Sequence, residues 1–136
     1  MIYLDSSALL KLVFDEAESP ALDRWLSEQP EAVLTSSELA RLEVLRSCRR
    51  VDPLALTTAG ALLDGLDLVP LSTHLLSDAA DVGSDTLRTL DAIHLASALS
   101  LGDALTSLVV YDHRLAAAAT AAGLKVVSPG ANLPQV

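Results

Sequence analysis

Met1-Ile2-Tyr3-Leu4-Asp5-Ser6-Ser7-Ala8-Leu9-Leu10 is the stretch from which the rest of the chain can be read. An apolar run without polar alternation ends on an aspartate. Two serines follow, and an apolar helical pattern then extends from Ala8 to Phe14, which reads as a strand leading directly into a helix. The same pattern recurs downstream. After the acidic turn Asp15, Glu16, Glu18, the spacing predicts a helix over 20–29 with proline near its first turn. Residues 32–34 read as a short strand. Leu39, Leu42 and Leu45, with Val44 and Cys48, predict a helix over 36–50, and Pro53 opens another that ends near Leu66. A weaker strand over 68–71 precedes helices over 73–82 and 89–101, the second closed by Gly102. A strand over 105–111, an alanine-rich helix over 114–122 closed by Gly123, and a strand over 124–127 complete the pattern, leaving 128–136 as a loose tail. Strands that alternate with helices and lack polar alternation imply a mostly parallel sheet covered on both faces, an α/β sandwich.

Composition narrows the class. A chain of 136 residues fits one domain, here 1–136, and 51% hydrophobic against 20% charged residues indicates a packed globule rather than disorder. No apolar run reaches the roughly 18 to 20 residues needed to span a bilayer, so the expected location is cytoplasmic, away from membranes. The single cysteine, Cys48, precludes an intrachain disulfide and a cysteine-based zinc site. A formal net charge of −9 argues against coating nucleic acid by electrostatics alone. Either the acids gather around divalent cations that reverse the local sign, or the partner is basic or neutral.

The placement of the acids bears on that choice. In an open parallel sheet, ligands bind beyond the carboxyl ends of the strands. Asp5 and Asp112 both follow predicted strands, so both belong to one edge of the sheet if those strands are parallel. Each also suits a plain helix cap. Asp91 falls in the first turn of a predominantly apolar helix, with Thr89 as the predicted cap, and a carboxylate entering such a helix needs a metal ion, an arginine or backbone donors as partner. The helix over 36–50 carries two glutamates. At roughly 100° per residue, Glu38 and Glu43 point about 140° apart and cannot both face one site. Thr35 and Glu38 read as a capping box, which gives Glu38 a structural task. Glu43 has none, and its face carries Arg46, Ser47 and Arg50, an arrangement that also fits a solvated polar stripe.

These residues, in order and spacing, resemble the PIN-domain family, and within it the VapC-like toxins of bacterial toxin–antitoxin pairs. The likeness spans Met1 to about Val127. It rests on the N-terminal segment quoted above, on Leu42-Glu43-Val44-Leu45-Arg46, on Leu90-Asp91-Ala92-Ile93-His94-Leu95-Ala96-Ser97-Ala98, and on Val110-Tyr111-Asp112-His113-Arg114-Leu115. The resemblance implies a three-layer α/β/α sandwich with a twisted, mostly parallel sheet. It also implies that Asp5, Glu43, Asp91 and Asp112 form an acidic pocket for magnesium or manganese and that the activity is endoribonuclease cleavage by a metal-activated water. A homodimer and inhibition by a VapB-like antitoxin are implied too. One departure is Val110, where the family often has serine or threonine, which transfers the role of hydroxyl helper to Ser6. His94, one turn after Asp91, is a candidate accessory residue, either a general base or a support for a ligand. Lys11, Arg46 and Arg50 are candidate phosphate contacts. Aromatic residues, at 3%, form no stacking platform. Two other readings compete: a PIN-like protein-binding module without catalysis, and a phosphoacceptor signalling domain. The latter fits poorly, since Asp5 is followed by Ser6 rather than a second acid and Lys125 precedes the last strand.

Overall fold

The computed structural model describes residues 1–131. Among them, five strands form one parallel sheet in the order β3-β2-β1-β4-β5: β1 Ile2–Leu4, β2 Leu34–Ser37, β3 Asp67–Val69, β4 Ser107–Val109 and β5 Val126–Val127. Seven α-helices connect them: α1 Ser6–Val13, α2 Ser19–Ser27, α3 Glu38–Val51, α4 Leu56–Asp64, α5 Thr73–Asp81, α6 Thr89–Leu99 and α7 His113–Ala121. The expected α/β sandwich is therefore present. Successive side chains of β1 point to opposite faces. Ile2 and Leu4 join Val109 in a core with α1 to α4, through Leu9, Leu22, Val44 and Leu63. Tyr3 joins Leu108 in a second core with α6 and α7, through Leu95 and Leu115. A third cluster packs α5 against α6 through Leu75, Ala79, Ala92 and Ile93. Burial on both faces explains why β1 reads as an unbroken apolar run.

The strand order creates a switch point. From β1 the chain winds outward to β2 and β3, then returns to place β4 on the other side of β1. The helices that leave the two central strands go to opposite faces, α1 to one core and α7 to the other. In open parallel sheets, a switch point between diverging helices at the carboxyl ends of the strands is where ligands bind.

Several local expectations are corrected. β2 runs three residues further than the apolar pattern suggested, because Thr35, Ser36 and Ser37 pair with Asp67, Leu68 and Val69 of β3. The buried Ser36 hydroxyl is satisfied there by the carbonyl of Leu4 at 2.6 Å. Thr35 consequently lies inside the strand and cannot cap α3, and its Oγ1 is buried without a partner among the described residues. Ser37 takes the cap instead, accepting from the Leu39 amide at 3.1 Å, and Glu38 is the first helical residue, its Oε2 accepting from the Leu71 amide at 3.4 Å. Thr89 likewise begins α6 rather than capping it; Arg88 occupies the cap position without a side-chain hydrogen bond. Pro53 opens a short 3-10 turn, Pro53–Ala55, before α4. The predicted tail starts tied down, since Ser128 Oγ donates to the Val110 carbonyl at 2.5 Å and the Pro129 carbonyl accepts from the Tyr111 hydroxyl at 2.7 Å; its last five residues lie outside the described ones.

The cap assignment yields a stability test. Ser37→Ala is expected to cost about 0.5 to 2 kcal/mol in urea unfolding, the usual range for a lost cap, whereas Glu38→Ala should stay within about 0.5 kcal/mol. The reverse ranking would restore the capping box.

Candidate active site

Asp5 is held in place by its own helix. Its Oδ1 accepts from the Ala8 amide at 3.0 Å and from the Ser7 hydroxyl at 2.6 Å, and the carboxyl is only 4% exposed. Ser7 Oγ also accepts from the Tyr111 amide at 3.1 Å, which ties the turn after β1 to the turn after β4. That tie brings Asp112 near. Asp112 is the cap of α7, where its Oδ2 accepts from the Leu115 amide at 2.9 Å. Burial, with a smaller contribution from the Asp112 charge, pushes the Asp5 carboxyl up to about 6, against the lowering effects of His94, Ser7 and the Ala8 amide.

Glu43 reaches the same edge from α3. Its Oε1 accepts from the Ser6 hydroxyl at 2.5 Å and faces His94 Nε2 at 2.8 Å. Burial alone would raise this carboxyl, but the hydrogen bonds from His94 and Ser6 outweigh it, so the net shift is downward. Asp91, one turn before His94 on α6, is half-buried; desolvation raises it first and the Asp112 charge second, opposed by His94 and Arg88. The Asp112 charge raises both Asp5 and Asp91, and the Glu43 charge raises Asp91 further.

Three of these four acids share a feature of their hydrogen bonding. Asp5, Glu43 and Asp112 each commit one oxygen to the protein, and the second oxygen of each takes no protein hydrogen bond among the described residues. Such a donor set, all carboxylate oxygen, suits a hard divalent cation, which takes one or two carboxylates directly and keeps water in its other positions. A preformed cage is not part of the arrangement: among the described residues no three His, Cys, Asp or Glu side chains are gathered closely enough to hold an ion by themselves.

The accessory residues divide. Ser6 and His94 are at the centre, both on Glu43. The guanidinium groups expected beside Glu43 are not its partners; Arg46 and Arg50 are exposed and make no ion pair among the described residues. The side chains of residues 46 and 50 follow the exposed stripe of α3, whereas Glu43 turns toward α6. Lys11 is not a free phosphate contact either, because its Nζ sits 2.8 Å from Glu18 and 4.7 Å over the Tyr111 ring. Sequence reasoning missed Tyr3, Ser7 and Arg88. Tyr3 carried a usable signal: a phenol in a strand buried on both faces must find a hydrogen-bond partner.

The PIN-domain family model matches residues 2–132. The chain is 44% identical over 135 residues to ribonuclease VapC47 of Mycobacterium tuberculosis (strain CDC 1551 / Oshkosh), covering 96% of this chain and 98% of that protein. It is also 44% identical over 132 residues to ribonuclease VapC35 of the same organism, with 96% and 98% covered. Its fold matches the crystal structure of M. tuberculosis VapC20, described as a sarcin-ricin loop cleaving toxin, with a TM-score of 0.75 at 20% identity over 95% of this chain and 100% of that one.

The raised carboxyl gives a pH test in metal-free buffer. Asp5 binds its proton more tightly when folded, so its stabilising contribution is complete below the unfolded value of 3.8 and is lost as pH rises through about 6. A rise of that size corresponds to on the order of 3 kcal/mol. Asp5→Asn keeps an acceptor for Ser7 and Ala8 and removes the charge, so it should be more stable than the parent at pH 7.5 and close to it at pH 4 by urea unfolding. A parent that outperforms the variant at pH 7.5 would mean that the carboxylate is not desolvated.

Proposed function

The chain belongs to the PIN-domain family, and from that membership we propose that it is a divalent-metal-dependent endoribonuclease, the toxin of a VapBC-type pair. The observation that carries this reading is the family match and the similarity over nearly the full length to named ribonucleases, supported by Asp5 and Asp112 capping the helices that leave β1 and β4 and by the charges of Asp112 and Glu43 acting on Asp91. Asp5, Asp91 and Asp112 with Glu43 would hold magnesium or manganese, one or two carboxylates directly and the others through water. The bound metal supplies a water of lowered pKa and neutralises charge on the phosphoryl oxygens.

The protein residues have separable tasks. Asp5, fixed by Ser7 and the Ala8 amide, anchors the site at the end of the middle strand of the sheet. Asp112, carried by the turn that Ser7 also holds, joins the edge from β4. Asp91 enters from α6 with Arg88 near enough to temper its charge, which leaves that guanidinium placed to meet a phosphate. Because the chain carries a net charge of −9, RNA binding should depend on this local sign reversal by metal. A VapB-like antitoxin would inhibit by covering the edge, and a homodimer in the cytoplasm completes the proposal.

Purified protein should cleave RNA with magnesium or manganese and be silent in excess chelator. Asp5→Asn and Asp91→Asn should each reduce turnover by at least about 100-fold, roughly 2.7 kcal/mol of transition-state stabilisation, while circular dichroism stays unchanged. Cleavage that persists in chelator, or full turnover in both variants, defeats the proposal, and a folded chain that binds a partner without ever cutting RNA would be the binding module instead.

A further inference from the structure

His94 sits 3% exposed at the meeting of β1, α3 and α6, with both ring nitrogens engaged. Nδ1 lies 2.8 Å from the Tyr3 hydroxyl, and Nε2 lies 2.8 Å from Glu43 Oε1 and 3.2 Å from Ser6 Oγ. A carboxylate oxygen accepts and cannot donate, so the proton between Glu43 and the ring belongs to Nε2. In the Nε2–H tautomer Nδ1 is an acceptor, and the Tyr3 O–H donates to it. Burial holds the Tyr3 phenol far above its ordinary pKa, which keeps that proton in place. The ring planes of Tyr3 and His94 are 82° apart with centroids at 5.9 Å, an edge-on contact that restricts the imidazole further.

We propose that His94, oriented by Tyr3, is a positioning residue that with Ser6 clamps Oε1 of Glu43 and leaves Oε2 as the oxygen offered to the acidic edge. A general-base role is disfavoured by the same geometry, since neither nitrogen has a free lone pair facing the acidic edge. The arrangement matters because a glutamate reaching across from α3 has three rotatable bonds, and without the clamp its carboxylate would sample positions away from Asp5 and Asp91. This inference rests on the reading of that edge as a metal-dependent nuclease site.

The test compares His94→Gln with His94→Leu. Glutamine retains an N–H donor close to the position of Nε2, and leucine has none. In His94→Leu, manganese alone, titrated calorimetrically into the RNA-free protein, should bind about 10- to 100-fold more weakly, and kcat should fall comparably with KM for RNA unchanged. His94→Gln should recover to within a few-fold of the parent in both readouts. Wild-type manganese affinity and kcat in a folded His94→Leu, or a folded His94→Gln as impaired as leucine, overturns the clamp. Should leucine prevent folding, Tyr3→Phe keeps the ring and deletes only the hydroxyl. Imidazole ¹⁵N spectra of the metal-free protein then decide: the parent should show a protonated Nε2 and an acceptor Nδ1 whose shift moves in Tyr3→Phe, and the opposite tautomer or an unmoved shift overturns the proposal. These spectra need neither metal nor RNA. A parent that binds no manganese and cuts no RNA would refute the nuclease reading, while the tautomer would still confirm or overturn the clamp.

Discussion

The amide of Asp5 donates to the carbonyl of Val109 at 3.2 Å, and this is the last rung between the two central strands. Above it the chain on one side turns into α1 and the chain on the other turns, three residues later, into α7, toward opposite faces of the sheet. Everything at the acidic edge depends on that parting. It places the buried Asp5 carboxyl at that edge, desolvated by the surrounding layers, and ties it through Ser7 to the turn that carries Asp112. The other two acids arrive from elements that pack across the same edge, Glu43 from one helical layer and Asp91 from the other.

Desolvation and repulsion make this edge costly to fold, and the local structure limits that cost in different ways for each acid. Asp5 has a helix N-terminus and a serine. Glu43 has a histidine and a serine, which bring it below its ordinary range despite burial. Asp91 has no hydrogen bond among the described residues, and stays raised by burial and by Asp112. Carboxyls held above their ordinary range in this way are characteristic of functional sites. Under the proposed function, stability and metal binding pull in opposite directions at Asp5, as is common where a site is kept charged and dry.

Much of this was readable from the chain, and the failures have physical causes. The order of strands and helices followed from apolar periodicity, and helix geometry separated Glu38 from Glu43, but the capping box assigned to Glu38 failed once Thr35 joined β2; Glu38 is exposed and accepts from the Leu71 amide at 3.4 Å instead. The boundary of β2 was misplaced because hydroxyl residues look like a loop until a neighbouring strand and a carbonyl such as that of Leu4 satisfy them. Arg46 and Arg50 were set beside Glu43 because only contacts along one helix can be inferred from spacing. The true partners, Ser6 and His94, lie 37 and 51 residues away, and Tyr3 lies 91 residues from the histidine it holds. Long-range hydrogen bonds of this kind leave no periodic trace in a single sequence.

The insertion of β4 beside β1 has a consequence for synthesis. β1 is the first strand to emerge and forms the middle of the sheet, yet one of its two neighbours is encoded more than a hundred residues later, with Ile2 paired to Ser107. A chain still being made already contains Asp5, Glu43 and Asp91, but its central strand has an open side, and the turn that bears Asp112 does not exist. Domains of this topology cannot close until nearly all their length is available, because the nonlocal pairing has to be made last. The acidic edge therefore has a sequence-order constraint as well as a spatial one: Asp112 joins it only with the turn after β4, the strand that pairs Ser107 with Ile2.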